Sequence, residues 1–141
     1  MTPEHLAQIH HAAFRDARPW TAAEFQTLLA ADHTHLTAHA YGFALWRAIA
    51  GEAELLTLAV APDHQGQGIG GRVMRTWMGD AAALADSAFL EVAADNISAC
   101  ALYARHSFVE VARRPGYYRR PDGHAAQDAV VMRAALPFIV P

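Results

Sequence analysis

The residues able to do chemistry in this chain fall on a turn, a short apolar run and the segment that follows it. The turn carries Gly66, Gly68, Gly70 and Gly71 at the end of LLTLAVAPDHQGQGIGGR, between Leu55 and Arg72. Glycines so closely set let the main chain approach a ligand with no Cβ in the way, and the opening N–H groups of a helix have no intrahelical partner. Such a turn binds an anion, most often a phosphate or pyrophosphate. The apolar run is AFLEVA, from Ala88 to Ala93, in which Glu91 is the only charge. A carboxylate there can take a proton. The following segment carries Asn96 and Tyr103, and the phenol can give one.

The elements that hold these groups follow from periodicity. Leu55, Leu56, Leu58, Ala59 and Val60 make an almost continuous apolar run, which suits a strand covered on both faces and ended by Pro62. After the glycines, Val73, Trp77, Ala81 and Leu84 recur at helical spacing. The spacing Gln65-x-x-Gly68-x-Gly70 behind Leu58-Ala59-Val60 resembles the acetyl-CoA pyrophosphate loop of the GNAT N-acetyltransferases. A rival reading is the dinucleotide fingerprint G-x-G-x-x-G, which Gly66, Gly68 and Gly71 satisfy with Glu91 about 20 residues on. Against it, residues 61–65 separate the strand from the glycines. About fifty residues remain after Glu91, too few to complete a doubly wound sheet and a substrate domain.

With 141 residues, 53% hydrophobic and 18% charged, the chain reads as one globular domain over 1–141 that buries a core without staples. A net charge of -3 argues against direct nucleic-acid binding through phosphate neutralisation. A single cysteine, Cys100, excludes an intramolecular disulfide. No apolar run has the length of a membrane span and no signal peptide is visible, so the expectation is a cytoplasmic protein with no membrane partner.

In chain order, Thr2-Pro3-Glu4 starts a helix with the apolar stripe Leu6, Ile9, Ala13 and Phe14. Thr21-Ala22-Ala23-Glu24 starts a second by capping-box spacing, with Phe25, Leu28 and Leu29 buried. Between them Trp20 either lines a groove or packs under the second helix. Strands are expected over 35–39 and 41–47, then, after a turn at Ala50-Gly51-Glu52, at the central run and over 88–93. A helix over 97–106 follows a cap at Asp95 or Asn96. Two last strands, 108–111 and 129–132, flank RRPGYYRRPDGHAAQD with its turn at Pro121-Asp122-Gly123.

Acetyl transfer from a thioester to an amine needs a held donor, a polarised carbonyl, a base and an acid. An N-terminal amine, with a pKa near 8, arrives mostly protonated, so a carboxylate must take its proton directly or through water. Glu91 is the candidate base and Tyr103 the candidate donor to the leaving thiolate. A backbone N–H near Val60 can polarise the carbonyl if the strand is bulged or splayed there. Other readings stand beside these: Glu91 as a solvated residue of an edge strand, Tyr103 as a core tyrosine, Asn96 as a plain helix cap. His33, His35 and His39 have strand spacing, but no cysteine or carboxylate joins them and no metal is expected. Cys100 reads as packing.

From Arg18-Pro19-Trp20-Thr21 through Leu58-Ala59-Val60, Gln65 to Gly71, Leu90-Glu91-Val92, Asp95-Asn96, Ala101-Leu102-Tyr103, Phe108, Arg113-Arg114, Tyr117-Tyr118 and 128–132, the chain resembles the RimI-like branch of the GNAT superfamily. The resemblance implies an α+β fold, a mixed, mostly antiparallel sheet splayed at the acetyl-CoA site and flanked by helices. It implies transfer of acetyl from acetyl-CoA, in a ternary complex, to the N-terminal α-amine of a protein such as a ribosomal protein beginning with alanine. By matching motif, Leu58, Ala59, Val60, Gln65, Gly66, Gln67, Gly68, Ile69, Gly70, Gly71 and Asn96 hold the cofactor, Glu91 accepts the proton and Tyr103 donates it. Trp20, Tyr117 and Tyr118 are expected to line the acceptor groove, with Arg113, Arg114, Arg119 and Arg120 read either as contacts for an acidic or carbonyl-rich partner or as a solvated surface.

The chain departs from the family at several points. The family's first strand is missing, so the sheet is expected to be one strand short or its edge otherwise covered. Ala93 stands where an arginine is usual, Ser107 replaces a glycine, and Pro115-Gly116 is extra. An αL cap at Ser107 is expected to cost about 1 kcal/mol relative to glycine.

Overall fold

The two N-terminal helices form where their caps stand. In the computed structural model, which describes residues 1–14, 18–119 and 126–138, α1 spans Pro3–Ala13 with the Thr2 hydroxyl accepting from the His5 N–H. Helix α2 spans Ala22–Ala30 and opens with the expected reciprocal capping box between Thr21 and Glu24. Arg18 adds a bidentate pair to the same Glu24 carboxylate, at 2.7 and 2.9 Å.

The strands are β1 (Thr34–His39), β2 (Gly42–Ile49), β3 (Glu52–Val60), β4 (Ser87–Ala93), β5 (Val109–Tyr118) and β6 (Gln127–Ala135). They form one sheet in the order β1-β2-β3-β4-β6-β5, in which only β3 and β4 are parallel. That order rules out the doubly wound parallel sheet of the dinucleotide reading. The first element is α1, and β1 forms one edge of the sheet.

A helical layer lies against each face. Leu6, Ile9 and Phe25 of α1 and α2 pack on Phe43, Leu45 and Ala59. On the other face Val73, Met74, Trp77 and Met78 of α3 (Ile69–Ala81) pack on Trp46, Leu55, Leu90 and Met132. Helix α4 (Ile97–Ala104) joins this layer through Tyr103. Ladder partners jump from Leu45↔Thr57 to Trp46↔Leu55, so Leu56 is the extra residue of a bulge. The bulge shifts the alternation. Ala53 and Leu55 face the α3 layer before it, and Leu58 and Val60 face the same layer after it.

Two boundaries differ from the sequence reading. Strand β3 begins at Glu52, because the alternation Glu52, Ala53, Glu54 buries only the alanine. Strand β5 continues to Tyr118 instead of stopping near Val111. It is exposed along nearly all its length, so its strand character comes from the ladder with β6 and left no apolar alternation to read. Arg114 pairs with Ala129 and Tyr118 with Gln127, so Pro115-Gly116 are absorbed as a bulge that keeps both side chains on one face. Gly116 takes φ +59° there. Ser107 takes the expected left-handed conformation, φ 70°, closing α4 with Phe108 N–H on the Tyr103 carbonyl and Ser107 N–H on the Ala104 carbonyl. Arg15 in the segment between α1 and α2, Arg120, the turn at Pro121-Asp122-Gly123, and the C-terminal apolar residues Ile139 and Val140 lie outside the described residues. Phe138 packs against the α3 layer and beside His106.

Candidate active site

Strands β3 and β4 pair only between Glu52–Glu54 and Ser87–Phe89, and beyond these residues they part. A cleft of ≈ 920 Å³ opens in the gap, between Leu55–Leu58 and Leu90–Ala93, with His10, Phe14 and Trp20 on one side and Tyr118 on another. A second cleft of ≈ 420 Å³ runs over the glycine turn to the start of α4. Leu58, Gln65, Asn96 and Tyr103 border both, so the two form one groove.

The ladder dictates what the main chain offers to that groove. Ala61 N–H bonds the Tyr41 carbonyl, which makes residues 61, 59 and 57 the ones turned toward β2. Leu58 and Val60 therefore turn their N–H and C=O groups toward the missing β4 partner. The Val60 carbonyl is taken by the Gln65 side-chain amide at 3.1 Å, while no described residue accepts from the Val60 N–H. This is the splay that the sequence required for a free N–H near Val60, and the bulge lies upstream, at Leu56.

The glycine turn and helix α3 supply further donors. Gly68 is the N-cap of α3 in the left-handed region, φ 79°, and brings no capping side chain. The first intrahelical bond is Arg72 N–H to the Gly68 carbonyl, so the N–H groups of Ile69, Gly70 and Gly71 stay available. The first turn holds no acidic residue. An anion placed there meets free donors and the positive end of the helix dipole. A Cβ on Gly66 or Gly68 would meet nothing within 4 Å, so these two are required for their positive φ. At Gly70 an added Cβ would lie 3.2 Å from the Leu102 side chain, a tight contact that Leu102 would have to yield to. Gln67 lies beside His64, 3.4 Å away, and does not border either cleft.

Glu91 sits on β4, paired with β6 on one side and facing, on the other, the gap where β3 has parted. Its cross-strand neighbours are Val131 on β6 and, beyond it, Ala112 on β5. Along that face Arg114 lies 3.7 Å from Oε2 and the Tyr118 hydroxyl donates to Oε1 at 3.3 Å. Burial, followed by the Glu91 charge and this bond, pushes the Tyr118 phenol up to about 12, so it stays protonated. Tyr103 is buried with its ring edge-on to Phe108, and burial pushes its phenol well above the ordinary range. It lies at the junction of the two clefts as a proton-bearing group. Asn96 is the helix cap of the alternative reading, its Oδ1 accepting from Ala99 N–H at 3.3 Å, and it also borders both clefts.

Trp20 both packs and lines. It contacts Phe25 and His10 and borders the larger cleft. Tyr117 is placed outside both clefts, 53% exposed beneath Arg114. The arginine cluster is partly spent: Arg113 pairs with Glu110 and Asp128. Cys100 is half-buried and burial raises its thiol, which suits packing. Among the described residues no group of His, Cys, Asp or Glu is arranged to hold a metal ion, and no helix is long and apolar enough to cross a membrane. Sequence reasoning missed His10, Phe14 and Arg18 as cleft residues. The available signal was His10 itself, a histidine four residues after Leu6 on the apolar stripe of α1.

Known proteins match this chain along most of its length. Residues 2–108 fit the family model described as acetyltransferase (GNAT) family. The chain is 33% identical over 139 residues to N-alpha-acetyltransferase RimI of Mycobacterium tuberculosis, a match covering 92% of this chain and 84% of that protein. It is 36% identical over 97 residues to the ribosomal protein bS18-alanine N-acetyltransferase of Escherichia coli K12, covering 68% of this chain and 63% of that protein. The crystal structure of the ribosomal-protein-S18-alanine N-acetyltransferase from Escherichia coli superposes with a TM-score of 0.81 at 27% identity, over 94% of this chain and 86% of that one.

Proposed function

Since this chain belongs to the acetyltransferase (GNAT) family and is an N-acetyltransferase, we propose that it transfers acetyl from acetyl-CoA to the N-terminal α-amine of a protein, directly and within a ternary complex. The observation that carries this reading is the parted pair β3 and β4. Its gap joins a glycine-capped helix N-terminus at one end to a carboxylate at the other.

In this reading the diphosphate of the cofactor takes the N–H groups of Ile69, Gly70 and Gly71, with Gln65 locking the turn onto β3 and Asn96 bordering the pantetheine arm. The thioester carbonyl takes the Val60 N–H, which leaves its carbon open to attack from the larger cleft. Glu91 receives the ammonium proton, directly or through water, and the neutral amine attacks. As the carbon–sulfur bond breaks, Tyr103 protonates the departing thiolate, and the second proton shed by the acylated nitrogen returns through water to the Tyr103 phenolate. No activated nucleophile is needed, and Cys100, with its raised thiol, supplies none.

The relatives in Mycobacterium tuberculosis and Escherichia coli are named for α-amine and ribosomal-protein acceptors, which supports a protein N-terminus here and a place in the cytoplasm. The test is thiol release from acetyl-CoA with an alanine-initiated peptide, a lysine-side-chain peptide with a blocked N-terminus, and a small polyamine. Release with the first alone is expected. Release with the polyamine alone would make the acceptor a small molecule, and bound coenzyme A with no release from any acceptor would indicate a binding module.

A further inference from the structure

The larger cleft has a buried polar group that the proposed chemistry does not use. His10 is 3% exposed, stacked on Phe14 at 4.3 Å and on Trp20 at 5.1 Å, with Phe25 edge-on, and it borders the cleft. Its Nδ1 accepts the main-chain N–H of Trp20 at 3.2 Å. That bond decides the tautomer. With its Nδ1 lone pair committed, the neutral ring carries its proton on Nε2. Burial holds the imidazole at about 4, so neutral is the form present near pH 7.

Nε2 has no partner among the described residues. His10 borders the cleft, which is the open space beside its ring among the described residues. A neutral Nε2–H can donate and cannot accept, so His10 is no base for the incoming amine. Thr57, also buried and bordering the cleft, can rotate its hydroxyl and is committed to neither donating nor accepting.

We propose that His10 is an acceptor-binding residue whose Nε2–H receives a carbonyl oxygen of the acceptor close to its amine. The inference rests on the larger cleft being the acceptor site. It narrows the acceptor to amines carrying an adjacent acyl group, as every peptide N-terminus does and a polyamine does not. A site that presents a buried donor rejects an analogue lacking the matching oxygen, because the donor is then left unpaired.

The experiment compares an alanine-initiated peptide with its (E)-alkene isostere, in which the first peptide bond is replaced and the carbonyl oxygen is absent. The wild-type chain, His10→Asn and His10→Gln are assayed by thiol release from acetyl-CoA. Asparagine can keep an acceptor near Nδ1 for Trp20 but has no donor at the Nε2 position; glutamine reaches that position with an N–H. The wild-type kcat/KM is expected to favour the peptide by about tenfold, the loss of one satisfied hydrogen bond to a buried donor. His10→Asn is expected to bring the ratio near one through a higher peptide KM, and His10→Gln to restore most of it.

An unchanged ratio in a folded, active His10→Asn overturns the inference and makes His10 a prop for Trp20. Equal losses on both acceptors in both variants overturn it as well. Melting temperatures and coenzyme A binding identify any variant that fails to fold, and in that case the wild-type ratio alone decides: a ratio near one is again fatal. Absence of turnover by the wild-type chain with every amine counts against the proposed function itself, and this inference falls with it.

Discussion

The hydroxyl of Tyr118 donates to Oε1 of Glu91 at 3.3 Å, across twenty-seven positions of sequence and two strands of sheet. The bond exists because the bulge at Pro115-Gly116 takes up two residues and leaves Tyr118 on the face of Arg114 and Glu91. It fixes one carboxylate oxygen and leaves Oε2, with Arg114 at 3.7 Å, as the other. Tyr118 therefore acts through Glu91 in the proposed reaction.

If Glu91 is the base, Glu91→Gln lowers kcat by roughly 10²–10⁴-fold, the range of positioned proton transfer, with coenzyme A affinity unchanged. Tyr118→Phe is expected to lower kcat by about tenfold, the scale of one hydrogen bond to a charged group. The double variant should be no slower than Glu91→Gln alone, because the two losses share one path. Steady-state kinetics on the four chains check this; additive losses would mean that Tyr118 contacts the acceptor independently.

Tyr103 is held protonated by burial, which suits a donor to a leaving thiolate. Tyr103→Phe should lower kcat by about 10²-fold with acetyl-CoA, while the fold and coenzyme A binding persist. A thioester of a more acidic thiol needs no proton on departure. With an acetyl thiophenol ester as donor, the variant should approach the wild-type rate; a deficit of equal size with both donors would assign Tyr103 to packing.

What could be read in the sequence was what is local in it. The N-cap at Thr2, the capping box at Thr21, the apolar β3, the glycine turn and the left-handed Ser107 each depend on residues close together in sequence, and the helix starts at Thr2 and Thr21 are where they were expected. The reach of β5 was not legible, because a strand held by its ladder alone shows no apolar alternation. Nor were the contacts of Glu91: their partners are fixed by the register of β4, β6 and β5, which no local pattern encodes. His10 was visible as a residue, but its role depends on Trp20 folding back over α1.

Gly68 separates backbone conformation from space. An added Cβ meets nothing within 4 Å, but φ is +79°, so Gly68→Ala should lower stability by about 1–2 kcal/mol through the left-handed penalty alone. Asparagine tolerates that region better, and Gly68→Asn should recover much of the stability. Coenzyme A binding should weaken wherever the turn shifts and carries the Ile69 to Gly71 donors with it. Urea denaturation and calorimetric titration with coenzyme A give the two readouts; equal destabilisation by Ala and Asn would count against a φ-based account.

His10 also sets an acid limit on the fold. Its folded pKa, about 4, lies below the ordinary 6.5 because burial disfavours the imidazolium. Between these values the unfolded chain binds the proton and the folded one does not, so the contribution of His10 is intact above pH 6.5 and is lost as pH falls toward 4. The interval corresponds to on the order of 3 kcal/mol. Glu24, held at about 2 by Arg18 and Thr21, begins to weaken the fold only below its unfolded value of 4.5, so the window from 6.5 to 4.5 reports on His10. In His10→Phe, where the ring can stack on Phe14 and Trp20 without titrating, the decline in melting temperature across that window should be shallower than in the wild-type chain. A slope equal to that of the wild-type chain would mean that His10 takes up its proton in the folded state near pH 6.5, and the neutral Nε2–H donor would then hold only above that pH.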